Sequence, residues 1–84
     1  MSKVWFITGS SRGFGREFAL VALERGHRVA ATARNTGTLT DLVERFGDAV
    51  LPLRLEVTDR AQVFEAVAVA KERFGRLDVV RASS

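Results

Sequence analysis

Residues 6 to 15, Phe-Ile-Thr-Gly-Ser-Ser-Arg-Gly-Phe-Gly, place three glycines, three hydroxyl side chains and an arginine within ten consecutive positions. Such a stretch suits the binding of an anion by main chain. Gly9 permits a sharp turn, Gly13 lets the backbone approach a diphosphate without a Cβ in the way, and Gly15 allows a following helix to pack closely. Ser10, Ser11 and Arg12 add donors, and Phe14 sits between the last two glycines. The stretch begins in the apolar run Val4 to Ile7 and leads into a helical pattern. It therefore falls at the carboxyl end of a strand, where open α/β sheets bind ligands and a helix start offers unpaired N–H groups and the positive end of its dipole. A phosphate loop of the G-x-x-x-x-G-K-S/T kind is excluded, because Phe14 stands where its second glycine is required. The pattern G-x-G-x-x-G is incomplete as well, with Phe18 at the place of its third glycine.

A second informative position lies about twenty residues further on, where an Asp or Glu would hydrogen-bond the ribose 2′-hydroxyl of NAD. The chain has Ala33 and Arg34 there. With no carboxylate to repel a phosphate, and with Arg34 and Arg12 able to form charge-assisted bonds to one, NADP is expected over NAD. If one arginine contact contributes about 1.5–3 kcal/mol, the preference is on the order of ten- to a hundredfold. Asn35, next in the chain, joins the predicted cofactor-binding set.

The elements that must position these residues are legible from periodicity. Lys3 to Thr8 reads as a buried strand, and Phe14, Phe18, Val21 and Ala22 recur at helical spacing up to a stop at Gly26. His27 to Ala33 reads as a second strand. Asn35 to Thr38 supplies turn residues before Leu39, Leu42, Val43 and Phe46, a helix ended by Gly47. Ala49 to Leu55 reads as a third strand, and Pro52, which cannot donate to a ladder, assigns it to a sheet edge. Asp59 and Gln62 are spaced as a capping box, with the glutamine expected to reach back to the cap. Val63, Phe64, Val67 and Phe74 carry the third helix to Gly75, and Leu77 to Val80 forms a fourth strand. The order β-α-β-α-β-α-β predicts an α/β fold, a Rossmann-like parallel sheet with right-handed crossovers, in a single domain over residues 1–84.

Three landmarks carry a family resemblance. Thr8-Gly9-Ser10-Ser11-Arg12-Gly13-Phe14-Gly15 matches T-G-x-x-x-G-x-G. Leu55-Glu56-Val57-Thr58-Asp59 is similar to L-D-V-T-D, and Gly75-Arg76-Leu77-Asp78-Val79-Val80 is similar to G-x-L-D-V-L-V. Over residues 3–80 the chain thus resembles the short-chain dehydrogenases/reductases. The resemblance implies strand order 3-2-1-4, a fold truncated after the fourth strand, and a tail at 81–84 outside the family pattern. It implies a role for Glu56 near the adenine, where the family usually has Asp, with Val57 beside it. It also implies that this is the NADP(H)-binding part of an oxidoreductase whose catalytic Ser, Tyr and Lys would follow downstream. The sequence contains no tyrosine, so the family's Tyr-x-x-x-Lys cannot be assembled, and the chain alone is expected to be inactive. The alternative is a non-catalytic nucleotide-binding or protein-interaction module that keeps only the fold. The fourth strand would be a bare sheet edge, so self-association is expected there.

Composition excludes other classes. A net charge of +3, with Lys and Arg spread along the chain, gives no basic patch for nucleic acid. No cysteine is present, which removes disulfide frameworks and thiolate metal sites and suits a reducing cytoplasm. The longest apolar run, Phe18 to Leu23, is far short of the roughly 20 residues of a membrane span. The start of the chain lacks the pattern of a secretory leader, so a cytoplasmic location is expected. His27 reads as an ordinary surface imidazole, and Ser83 and Ser84 are given no role.

Overall fold

Alternating apolar residues and well-placed helix stops produce nine short elements in a computed structural model that describes residues 3–9, 13–56 and 59–81. Strand β1 (Val4–Ile7) is followed by helix α1 (Gly13–Glu24), strand β2 (Arg28–Ala33), a 3-10 turn at Thr36–Leu39 and helix α2 (Thr40–Phe46). A second 3-10 turn at Gly47–Ala49 then leads to strand β3 (Val50–Arg54), helix α3 (Arg60–Phe74) and strand β4 (Val79–Arg81). The strands form one parallel sheet in the order β3-β2-β1-β4, as the resemblance implies. Phe6 lies level with Ala30 on one side and Val80 on the other, and Ala30 in turn with Leu51.

Because successive strand residues point to opposite faces, the sheet feeds two cores. Ile7, Val29, Ala31, Ala33 and Val50 meet Ala19, Ala22 and Leu23 of α1 and Leu39 and Leu42 near α2. Phe6, Ala30 and Leu55 meet Ala66 and Ala70 of α3. Burying a side chain such as Phe6, Ile7 or Leu42 stabilises the fold by about 1.5–3 kcal/mol each. The buried Thr32 hydroxyl donates to the Ile7 carbonyl, 3.1 Å away, tying β2 to β1.

The helices turn different faces inward than their largest side chains suggest. Phe18 and Val21 of α1 are 38% and 49% exposed, and Phe64 of α3 is 74% exposed. The buried apolar side chains are those of Ala19, Ala22 and Leu23, and of Ala66 and Ala70. Strand β2 carries Ala30, Ala31 and Ala33, and alanine set against alanine lets a helix lie close to the sheet, where a phenylalanine would hold it off.

Other boundaries follow local chemistry. Pro52 lies in β3, which occupies an edge of the sheet as its missing N–H requires. Asp59 caps α3, its carboxylate accepting from the N–H groups of Ala61 and Gln62 at 3.0 and 3.3 Å. The expected return bond from Gln62 to the cap is not made. The Asp59 N–H donates to the Glu56 carbonyl, and Gln62 Oε1 accepts from the Glu56 N–H at 3.0 Å. Gly75 ends α3 at φ 82°, its N–H bonding the Lys71 carbonyl at 2.7 Å, a left-handed position that suits glycine.

Strand β4 starts two residues later than the apolar run predicts, because Asp78 works as a clasp. Its carboxylate accepts the Val4 N–H at 2.8 Å while its own N–H donates to the Val4 carbonyl at 2.9 Å. The strand then runs through Arg81, level with Ile7. His27 also does more than a solvated imidazole: it precedes β2, and its Nδ1 accepts the Lys3 N–H at 2.9 Å.

Candidate functional site

The carboxyl ends of β1, β2 and β3 carry the residues singled out for cofactor binding. Gly9 stands two residues beyond β1 with φ 66°. An L-residue there would force its Cβ against the carbonyl, at a cost of roughly 1–2 kcal/mol, so this turn is built for glycine. Gly13 and Phe14 form the first positions of α1, and Gly15 is buried within it. The first turn of α1 carries no acidic residue to neutralise the positive end of the helix. The start of α3 differs, since Asp59 already occupies its amides. Ser10, Ser11, Arg12 and Val57 lie outside the described residues.

Arg34 directly follows β2, and Glu56 lies two residues beyond β3. Their side chains meet as an ion pair, Arg34 Nε to Glu56 Oε2 at 3.2 Å, with the arginine 79% exposed. The two residues border a groove of about 600 Å³, lined also by Leu53, Arg54, Leu55 and Gln62. Asn35 is committed at its amide oxygen, which accepts the Gly37 N–H at 2.9 Å and caps the 3-10 turn. Its carbonyl takes the N–H and hydroxyl of Thr38 at 3.1 and 2.7 Å.

Two features escaped the reading of the sequence. Arg16 on α1 donates to the Asp41 carboxylate and to the Thr38 carbonyl, linking the helix behind the glycine turn to the segment after β2. Arg81 places its guanidinium 4.5 Å from the centre of the Phe18 ring, joining β4 to α1. Both connect residues far apart in the chain, so no local pattern announces them. A cation over an aromatic face contributes about 0.5–1 kcal/mol at an exposed site. Among the described residues, no group of His, Cys, Asp or Glu side chains could hold a metal ion. No helix of the described residues is long and apolar enough to cross a membrane.

A glycine turn off the first strand of a β3-β2-β1-β4 parallel sheet, opening into a helix, is a dinucleotide-binding arrangement. The family model for short chain dehydrogenase matches residues 3–83. The chain belongs to the short-chain dehydrogenase family. It is 54% identical over 81 residues to the oxidoreductase BOA17 of Botryotinia fuckeliana, covering 95% of this chain and 30% of that protein. A probable NADP-dependent dehydrogenase of Dichelobacter nodosus is 38% identical over 74 residues, 88% of this chain and 70% of its own length. Among solved structures, a short-chain dehydrogenase from Streptomyces avermitilis superposes with a TM-score of 0.91 at 41% identity, over 95% of this chain and 30% of that one. A short-chain dehydrogenase/reductase from Burkholderia phymatum, in complex with NAD, gives 0.85 at 32% identity over 94% and 29%. The chain thus spans about a third or less of the length of most of these relatives, and the part it matches carries the family's nicotinamide dinucleotide fold.

Proposed function

We propose that this chain is the NADP(H)-binding part of a short-chain dehydrogenase, an oxidoreductase that moves hydride to or from the nicotinamide. The observation that carries this reading is the Gly9 turn, held at φ 66° between β1 and α1. The diphosphate would lie over that turn and the start of α1, bonded by main-chain N–H groups, with Gly13, Phe14 and Gly15 beneath it and Ser10, Ser11 and Arg12 adding donors. Arg34 would meet the 2′-phosphate, with Asn35 alongside, and Glu56 and Val57 would border the adenine. The groove beside Arg34 and Glu56 supports that placement. Proton transfer in the family relies on a tyrosine, and this sequence contains none, so the 84 residues would supply cofactor binding without the acid.

The relatives point both ways on the cofactor, since the Dichelobacter nodosus protein is named NADP-dependent and the Burkholderia phymatum structure is a complex with NAD, and Arg34 in place of a carboxylate is what favours NADP. Because Arg34 is exposed and already paired, the expected preference is at the low end of the arginine range, roughly tenfold. The test is thermal unfolding with either dinucleotide. A ligand at 100 times its Kd raises apparent stability by about 2.7 kcal/mol, so NADPH should raise Tm at lower concentration than NADH. Equal shifts would remove the preference, and no shift with either would remove the function.

A second reading, self-association through β4, is favoured by one observation. Among the described residues β4 pairs only with β1, and Val80 on it is 61% exposed. An unpaired strand edge with an exposed apolar residue is a template for a second copy. Sedimentation at tens of micromolar should show species larger than a monomer; a single monomeric boundary contradicts it.

A further inference from the structure

The groove beside the expected 2′-phosphate position is not a positive site. Its lining contains two arginines, Arg34 and Arg54, and two glutamates, Glu56 and Glu65. Arg34, the residue that would favour the phosphate, spends its Nε on Glu56 at 3.2 Å. Glu56 is itself held firmly by its main chain. Its N–H donates to Gln62 Oε1 at 3.0 Å and its carbonyl accepts the Asp59 N–H at 3.0 Å, which fixes the residue to the start of α3. The carboxylate therefore approaches Arg34 from an anchored backbone.

We propose that Glu56 is a specificity-determining residue that acts through Arg34, lowering the discrimination between 2′-phosphorylated and unphosphorylated adenine nucleotides. This rests on the reading that Arg34 meets the 2′-phosphate. The physical basis is simple. A dianionic phosphate can bond the Nη groups of Arg34, but it shares the guanidinium with Glu56 and approaches a pair whose charges cancel. A nucleotide with a free 2′-hydroxyl bears neither cost. The pair therefore narrows the gap between the two cofactors without abolishing it.

The test uses 2′,5′-ADP and 5′-AMP as probes, titrated by calorimetry into the 84-residue chain, Arg34→Ala, Glu56→Gln and the double variant. Circular dichroism confirms that each is folded. The readout is the ratio of the two affinities, which cancels any contact of Glu56 with the adenine. An exposed ion pair of this kind corresponds to about a two- to fivefold effect. Glu56→Gln should raise the ratio by that factor at about 0.01 M ionic strength and much less at about 1 M, where the screening length falls to roughly 3 Å. A purely structural role for Glu56 would not show that salt dependence. Arg34→Ala should lower the ratio, and Glu56→Gln should then have no further effect on it.

If Glu56→Gln leaves the ratio unchanged while Arg34→Ala lowers it, the inference fails and the cofactor reading survives. An equal rise with and without Arg34 also overturns the inference, since Glu56 would then repel the phosphate directly. If Arg34→Ala does not lower the ratio, the assignment of Arg34 fails, and the role of Glu56 with it.

Discussion

The two ends of the sheet are built to opposite specifications. At the amino end polar groups close on one another across the strands: Asp78 clasps both polar groups of Val4, Arg76 bonds Asp78, His27 takes the Lys3 N–H, and the Lys3 carbonyl takes the Arg28 N–H. At the carboxyl end the chain turns through a left-handed glycine, starts a helix without an acidic residue in its first turn, and leaves Arg34 in solvent with one partner. The contrast separates the rim that ties the sheet together from the rim where the proposed function places binding. Parallel strands share direction, so the two roles segregate to opposite rims.

Substitutions at the two rims should therefore separate binding from stability. The largest effect is expected from Gly9→Val. A β-branched residue at φ 66° is strained, the turn must rearrange, and NADPH should bind at least about tenfold more weakly by calorimetry. Affinity within twofold of the parent chain would break the contrast. Asp78→Ala should do the reverse, lowering Tm while NADPH binds the folded molecules as before.

The Asp78 clasp also has a pH signature. The hydrogen bond from Arg76, and then that from the Val4 N–H, hold the Asp78 carboxyl below the ordinary carboxylate range. Its folded value is thus lower than its unfolded one. The stabilisation is complete above the ordinary value near pH 4 and is lost as pH falls through the lowered one. Tm of the parent chain should fall more steeply with acid below about pH 4 than Tm of Asp78→Ala; parallel curves would show that the clasp carries no linkage. The smallest effect is expected from Asp59→Ala, which removes the cap of α3 at a cost of about 1 kcal/mol. That change should appear as a modest drop in Tm, since the Ala61 and Gln62 N–H groups lose their acceptor.

Much of this was legible in the sequence because it rests on local rules. The glycine stops, the Asp59 cap and the edge-strand proline each act within a few residues, and the alternation of strand and helix leaves few topologies. Periodicity marks the helices through Phe18, Val21 and Phe64 but does not tell which face turns inward, because it weighs hydrophobicity, whereas the alanines of β2 select small partners. The Arg34–Glu56 pair joins residues 22 apart through the adjacency of β2 and β3, and the Asp78–Val4 clasp spans nearly the whole chain. Such contacts exist only once the sheet is assembled. Within the candidate site, the glycine turn was legible because φ 66° constrains residue type directly. The neutralised charge beside Arg34 was not, because the sequence shows an arginine and not what faces it.

The most direct test is an amide NMR titration of the 84-residue chain with NADP⁺. Shifts concentrated at Gly9 to Gly15, Arg34, Asn35 and Glu56, with Val4, His27 and Asp78 unmoved, are expected. Absent shifts, or shifts centred on the Asp78 rim, would contradict dinucleotide binding at the carboxyl end of the sheet.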